Sequence, residues 1–180
     1  MTATAYVLAD KGFARTTTNR IAEVAGVNVG TLYRYFPNKD ALVGALIDRE
    51  AKATLASVDE VLASGEDQPV EAVVRALLSA MVDERRLDAR VHRELVEQVG
   101  RSGRVSVLRK LEQDIAERLL GFIRARTGRK SIDDAPVAAF LVLHAVEAMV
   151  HAILFLRPAN ISRKDALESA IAMVSRFLEA

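Results

Sequence analysis

Five residues between positions 30 and 35 could together contact a repetitive, negatively charged partner. In a helix, successive residues turn by about 100°, so Leu32 points to one side while the face made by these five points away from it. Glycine costs about 1 kcal/mol in a helix relative to alanine, but it permits close approach to a phosphodiester strand. Tyrosine hydroxyls can donate hydrogen bonds to phosphate oxygens. The five residues are Gly30, Thr31, Tyr33, Arg34 and Tyr35.

The residues on either side of this run predict two short helices joined by a tight turn. Three threonines at positions 16 to 18 can cap the first helix, and Gly26 can end it in the left-handed conformation that glycine readily adopts. Asn28 can cap the second helix, and Pro37 ends it because proline lacks a backbone donor. We expect Val27 to be buried as the plug of the turn. This arrangement is typical of a DNA-reading helix-turn-helix.

The stretch AGVNVGTLYRYFPNKDAL, preceded by GFARTTTNRIA, resembles the N-terminal DNA-binding region of the TetR/AcrR family of regulators. The resemblance is continuous from about Ala5 to Leu46, and the combination of paired helices, GTLYRYF and a downstream Asn-Lys helix start is specific. Beyond this stretch the likeness lies only in length and helical layout. The resemblance implies a homodimer that binds operator DNA, and most members of the family are repressors released by a small-molecule effector.

Roles within the predicted DNA-contacting surface follow from side-chain chemistry and position. A hydroxyl or amine beside the exposed amides at a helix start suits a phosphate, whereas the N-terminal part of the second helix is placed to read base edges. Arg34 could contact a phosphate instead of a base. The alternative is an amphipathic hairpin with a solvated face. The predicted phosphate contacts are Thr18, Tyr33, Tyr35 and Lys39, and the predicted base contacts are Val29, Gly30 and Thr31, with Asn19 and Arg34 as additional readers.

Composition sets limits on this interpretation. The chain has 180 residues, enough for one ordinary domain or for a small domain and a larger one. It has no cysteine, which excludes disulfides and thiolate metal sites and fits a cytoplasmic location. The net charge is only +1, and residues 1–45 carry five Lys/Arg against three Asp/Glu. This small asymmetry does not by itself indicate nucleic-acid binding.

The first helix is predicted over Ala3 to Lys11, with Leu8 inward and Gly12 at its end. Relatives in the resembled family usually have another turn and a short basic arm before this point. Either upstream residues, and their phosphate-binding charge, are missing, or the first helix is naturally short. The first residues do not form a basic region followed by a long apolar run, so the sequence gives no indication of secretion.

Apolar spacing predicts further helices throughout the remainder, without strands, repeats or low-complexity tracts. The predicted fold is all-α, with a DNA-binding domain over residues 1–46 and an effector-binding and dimerisation domain over 47–180. SGEDQP, residues 64–69, is the clearest linker. The longer predicted helices are approximately 38–63, 69–85, 88–99, 105–127, 135–156 and 162–178.

The segment Ala135 to Leu156 is apolar on nearly every side. It is long enough to cross a bilayer, but two histidines and a glutamate near its middle are costly in lipid, so we expect no membrane association. Such a helix needs cover on most sides, and a second subunit can supply it. Together with the last helix, it predicts a four-helix interface about a two-fold axis, as the resemblance also implies. The alternative is a monomer with a large core.

The histidines of that segment suggest a second site. His144, Glu147 and His151 share one face, which is plausible for a polar effector or a divalent metal but is more often a satisfied interface pair. We predict no metal, no cofactor and no enzymatic activity, because phosphate-loop and nucleophile motifs are missing. The competing hypothesis is a helical ligand-binding or metal-binding protein that does not bind DNA. The predicted effector-contacting residues are His92, Phe122, Phe140, His144 and Glu147.

Overall fold

A computed structural model describes residues 1–82, 89–100, 103–126 and 134–179, with the side chains at positions 89, 92, 93, 96, 126 and 134 left out. Within these ranges the chain forms helices and no β-strand, which confirms the all-α prediction. The helices are α1 Thr2–Arg15, α2 Thr18–Ala25, α3 Val29–Tyr35, α4 Lys39–Ser64, α5 Val70–Val82, α6 Ala89–Gln98, α7 Val105–Arg126, α8 Asp134–His151 with a following π-helical turn Ala152–Leu156, and α9 Arg163–Glu179.

The chain divides into two compact units, and each unit is built from two separate segments of the sequence. The first unit comprises Met1–Ala53 and Glu84–Lys110, and the second comprises Thr54–Asp83 and Leu111–Ala180. Helices α4 and α7 therefore run from one unit into the other, and α6 belongs to the first unit although it lies far along the chain. The functional boundary at residue 46 stays a prediction.

Two apolar clusters hold the first unit together. One is formed by Val7, Ile21 and Leu42, with Leu32 and Phe36 packed against it. This cluster fixes α3 onto α1, α2 and the start of α4. The second cluster attaches α6 to α1 and α4, and replacing one of its larger members by alanine would cost about 2–5 kcal/mol. It consists of Leu8, Phe13, Val43, Leu46, Ile47, Val91 and Leu95.

Backbone chemistry at the helix ends follows most of the predictions. Gly12 has φ 68° and ψ 166°, so it bends α1 near its C-terminal end rather than ending the helix as predicted. Gly26 has φ 66° and closes α2. The predicted burial of Val27 is wrong, since 44% of it is exposed. Its N–H donates to the Ala22 carbonyl at 3.0 Å, and this closure of α2 leaves the valine side chain on the surface.

The second unit has its own core, formed by α5, α7, α8, the π-helical turn and α9. Leu78, Ile123 and Ile171 are its most deeply buried large side chains. On its surface, Arg118 of α7 is paired with Asp59 of α4, and this hydrogen bond holds the pKa of Asp59 below its ordinary value. Ser162 accepts a hydrogen bond from Asp165 N–H at 3.0 Å and caps α9. The predicted helix start at residue 88 lies outside the described residues.

The outer faces of α8 and α9 are not covered by the described residues of this chain. Their exposed apolar side chains are Val137, Phe140, Leu141, Met173 and Phe177, between 39% and 64% exposed. The segment Ala135–Leu156 is apolar and long enough to cross a bilayer, with a mean hydropathy of 2.1. One such helix is weak evidence for a membrane span, because a helix that packs against another protein surface has the same composition.

Candidate nucleic-acid interface

Two apolar side chains pack helix α3 against its neighbours, and most of its remaining surface is exposed. Leu32 and Phe36 are partly buried against the Val7, Ile21 and Leu42 cluster. Because these residues are one turn apart, they hold one stripe of a seven-residue helix. The remaining surface is exposed and is the surface predicted from the sequence. It consists of Val29, Gly30, Thr31, Tyr33, Arg34 and Tyr35.

The start of α3 explains why position 30 is a glycine. The Asn28 side chain accepts a hydrogen bond from Gly30 N–H at 2.7 Å, which caps the helix as predicted. A Cβ atom at position 30 would lie 3.1 Å from the same Asn28 oxygen and would crowd the cap. The glycine therefore leaves room for the Asn28 cap, and because it has no side chain, another molecule can approach the backbone of α3 closely at this position.

A hydrogen bond between side chains joins the two short helices. Thr18 Oγ1 and Tyr33 Oη lie 2.7 Å apart, and either atom can be the donor. Thr18 is buried, whereas 47% of Tyr33 is exposed. The cap of α2 is Thr17, which accepts from Arg20 N–H at 3.2 Å. Thr18 is thus a residue that locks α3 to α2, and its hydroxyl can reach a phosphate only together with Tyr33.

Thr16 and Asn19 lie at the N-terminal end of α2. The Thr16 hydroxyl donates to the Gly12 carbonyl at 2.8 Å, so this threonine closes α1 rather than capping α2. Asn19 is exposed, as a base or phosphate contact requires. Arg20 is paired with Glu23 at 2.8 Å, and the hydrogen bond that its guanidinium donates to that carboxylate raises the pKa of Arg20. Of these residues, Asn19 offers a polar side chain to an incoming partner.

Lys39, the first residue of α4, is held in place by the end of α1. Its Nζ donates to the Phe13 carbonyl at 2.9 Å and lies 3.5 Å from the Ala14 carbonyl. The ammonium also lies 4.3 Å from the centre of the Phe13 ring, within the range of a cation–π contact. An ammonium has three donors, so one remains for a phosphate.

A contact from α6 was not predicted. Glu94 Oε2 accepts a hydrogen bond from Phe13 N–H at 2.8 Å. The two residues are 81 positions apart, and no local pattern joins them. The only sequence signal is Gly12 beside Phe13, since a glycine at a helix bend allows close approach of another group.

The predicted effector-contacting residues whose side chains are described lie in two different places. Phe140, His144 and Glu147 lie on the outer face of α8, where His144 Nδ1 is 3.1 Å from a Glu147 carboxylate oxygen and its ring meets Phe140 edge-on. Phe122 is instead partly buried against the core of the second unit. The His92 side chain lies outside the described residues. Within the part of the chain that the structure describes, no group of three histidine, aspartate or glutamate residues could hold a metal.

The sequence and the fold both match known proteins. Nucleoid occlusion factor SlmA of Glaesserella parasuis is 38% identical over 74 residues, 41% of this chain and 35% of that protein. This chain therefore matches about a third of that relative's length. A candidate TetR-family transcriptional regulator from Mesorhizobium loti superposes with a TM-score of 0.77 at 20% identity, covering 98% of this chain and 92% of the other.

A further solved structure and two family matches agree. SmeT, the repressor of the Stenotrophomonas maltophilia multidrug efflux pump SmeDEF, superposes with a TM-score of 0.70 at 22% identity, covering 96% of this chain and 85% of SmeT. Residues 1–46 match the family of bacterial regulatory proteins, tetR family, and residues 69–178 match the tetracyclin repressor-like C-terminal domain. With more than half of its residues in the second match, the chain belongs to the TetR family of bacterial regulatory proteins.

Proposed function

We propose that this protein is a cytoplasmic transcriptional repressor that binds operator DNA as a homodimer and leaves it when a small molecule binds to the second unit. The observation that carries the proposal is the exposed face of α3. A seven-residue helix fixed by one apolar stripe and by the Thr18–Tyr33 hydrogen bond leaves Thr31, Arg34 and Tyr35 exposed, and the packing of α3 within the described residues does not depend on them.

Within this proposal, α3 enters the major groove and its first turn meets base edges. Val29, Gly30 and Thr31 are exposed there. Valine offers methyl groups, glycine has no side chain and lets the backbone approach closely, and threonine offers a hydroxyl. Arg34 is exposed one turn later and can reach a base or a phosphate. Asn19, at the exposed start of α2, is a further reader. This set determines which sequence is bound.

Phosphate contacts fix the orientation of α3. Lys39 is suited to this role because its ammonium is already held between the Phe13 carbonyl and ring, so little side-chain freedom is lost on binding. Tyr35, 72% exposed, offers a further hydroxyl. Thr18 and Tyr33 act as a hydrogen-bonded pair. These contacts bind all sequences alike.

Dimerisation is proposed through the outer faces of α8 and α9. Monomeric proteins rarely leave a large contiguous apolar patch exposed, and the exposed Phe140, Leu141 and Met173 lie on these two helices. Two copies related by a two-fold axis would cover each other's patch. DNA-reading helices of such a dimer must lie about 34–36 Å apart to enter successive major grooves.

An effector acts by linkage in this scheme. A small molecule that favours a different spacing of the two α3 helices weakens DNA binding, and DNA weakens effector binding by the same factor. SmeT, which shares this fold, also forms a complex with triclosan. Phe122, partly buried in the second unit, is our candidate for effector contact. The outward Phe140, His144 and Glu147 suit the contact between copies better, because they share the face that dimerisation covers.

The test is a fluorescence-anisotropy titration of the full chain against duplexes tiled across the DNA upstream of its own gene. We expect one duplex to bind with at least about a thousandfold preference over scrambled DNA, a ratio within the range of specific regulators. Asn19→Ala with Thr31→Ala, which removes two of the proposed base contacts, should sharply reduce the preference and leave the helical content unchanged. Equal, weak binding to every duplex would refute the proposal and favour a helical ligand-binding protein.

A further inference from the structure

The Phe13 backbone is contacted from α6 by a carboxylate. Glu94 Oε2 accepts from Phe13 N–H at 2.8 Å, directly after the bend at Gly12. A Cβ atom at position 12 would lie 3.2 Å from the other Glu94 oxygen, so a glycine gives the carboxylate room. A hydrogen bond to an ionised acceptor is about twice as strong as one between neutral groups. Glu94 therefore fixes this peptide group.

Phe13 also contacts Lys39, through its carbonyl and its ring. The Phe13 carbonyl accepts from Lys39 Nζ at 2.9 Å, and the Phe13 ring lies under the ammonium. Phe13 is thus held by Glu94 through its N–H and holds Lys39 through its carbonyl and ring. A shift of Phe13 moves the ammonium with it.

Apolar packing determines where Glu94 sits. Val91 and Leu95, on either side of Glu94 on α6, are buried in the cluster that contains Phe13 and Leu46. Helix α6 can leave α1 only by opening this cluster together with the Glu94 hydrogen bond. The position of α6 and the position of Lys39 are therefore joined through one residue.

We propose that Glu94 is a positioning residue for DNA binding, holding Lys39 through Phe13 where the ammonium meets a phosphate. The proposal rests on the proposed function. If the proposal is right, full DNA affinity requires α6 to be packed against α1, and Glu94 is the residue through which the position of α6 affects Lys39.

Electrostatics alone predicts the opposite effect of removing Glu94. A carboxylate close to a phosphate site repels the phosphate, so its loss should strengthen DNA binding. If Glu94 positions Lys39, its loss should weaken binding. Glu97 provides a matched control, because it is an exposed glutamate on the same helix and carries the same charge.

The experiment uses the full chain and the duplex selected by the tiling titration, with binding measured between about 50 and 200 mM salt. Glu94→Ala should weaken binding about tenfold, as loss of a charge-assisted hydrogen bond allows. Glu94→Gln keeps an acceptor oxygen and should bind within about threefold of wild type. Glu97→Ala should bind as well as wild type or better.

Two further measurements show whether the effect passes through Lys39. The slope of log K against log salt should fall by about 0.9 for each phosphate that the protein no longer neutralises, equally in Glu94→Ala and Lys39→Ala. In the Lys39→Ala background, Glu94→Ala should have no further effect. A merely structural role of Glu94 would lower the fraction of active protein and leave the slope unchanged.

Glu94→Asp provides a second variant should the alanine variant fail to fold. It keeps the charge and shortens the reach, so it should weaken binding, whereas Glu97→Asp should not. Wild-type affinity and salt slope in Glu94→Ala and Glu94→Asp, or equal weakening by Glu94→Ala with and without Lys39, would overturn this inference alone. Absence of duplex binding by the wild type would overturn the proposed function and the inference with it.

Discussion

The hydrogen bond between Thr18 and Tyr33 gives a prediction that separates a structural role from a DNA-contacting one. The two hydroxyls are 2.7 Å apart, with Thr18 buried and Tyr33 about half exposed. Replacing Tyr33 by phenylalanine removes one partner and leaves the buried Thr18 hydroxyl unpaired. Replacing Thr18 by valine removes the other partner at nearly the same volume.

The magnitude follows from the burial of the pair. A net contribution of about 0.5–1.5 kcal/mol is usual for a hydrogen bond inside a protein, and leaving a buried partner unpaired costs about 1–3 kcal/mol. With Thr18 buried and Tyr33 half exposed, we expect Tyr33→Phe to lower the free energy of unfolding by about 1 kcal/mol. For a chain of this size, that corresponds to a fall in Tm of about 2–4 °C.

Urea and thermal unfolding followed by circular dichroism measure the effect in wild type, Tyr33→Phe, Thr18→Val and the double variant. The double variant should be close to the single variants, with a coupling energy of about 1 kcal/mol. Tyr35→Phe is the control because Tyr35 is 72% exposed, and its stability should remain within about 0.5 kcal/mol of wild type.

DNA affinity measured on the same proteins then assigns the functional role. If the pair orients α3, Thr18→Val should weaken binding to all duplexes although valine adds no charge and removes no exposed group. Additive effects of the two single variants on stability would refute the inference that their hydroxyls share one hydrogen bond. Equal stability losses in Tyr33→Phe and Tyr35→Phe would refute it as well.

Five other substitutions test separate parts of the molecule. Thr31→Ala should alter base preference in a binding-site selection, by about 1–3 kcal/mol at one position, while leaving the salt slope unchanged. Gly65→Ala should destabilise by about 1–3 kcal/mol, since its Cβ would lie 2.5 Å from a methyl group of α5, whereas Gly121→Ala, with open space in α7, should stabilise by about 0.5–1 kcal/mol in urea unfolding. The arginine beside Asp59 lowers its pKa from an ordinary 3.8, so the pair stabilises above about pH 4 and is lost on acidification; Asp59→Asn should flatten Tm against pH in that range. Met173→Asp should shift the sedimentation coefficient from that of a dimer to that of a monomer, because an exposed apolar residue of α9 would become charged.

Local chemistry explains why much of the helix-turn-helix was predictable. Gly26, Asn28 and Pro37 determine where α2 ends and where α3 begins and ends, through effects that extend over two or three residues. The caps and closures of the structure agree with those expectations. Val27 was mispredicted because its neighbours determine the path of the backbone, whereas its burial depends on how far α1 and α4 extend over the turn.

Contacts between distant parts of the chain were not predictable in the same way. Thr18 meets Tyr33 across 15 positions, and Phe13 meets Glu94 across 81. Single-residue chemistry identified Thr18 and Tyr33 as hydrogen-bonding groups but could not show that they bond to each other. Helix α8 presents a related difficulty, because apolar residues on nearly all sides conceal which face packs inward.

The structure shows which face of α8 packs inward and thereby changes the interpretation of His144. Ala138, Val142 and Leu143 are buried, so Phe140 and His144 must lie on the outer face. Covering that face by a second copy would remove water from His144 and from the Glu147 carboxylate 3.1 Å away. Burying such a pair away from water costs little stability only when the two side chains remain hydrogen-bonded to each other. We therefore propose that His144 and Glu147, two of the three residues of the predicted stripe, are a polar pair that must stay matched within the proposed contact between copies.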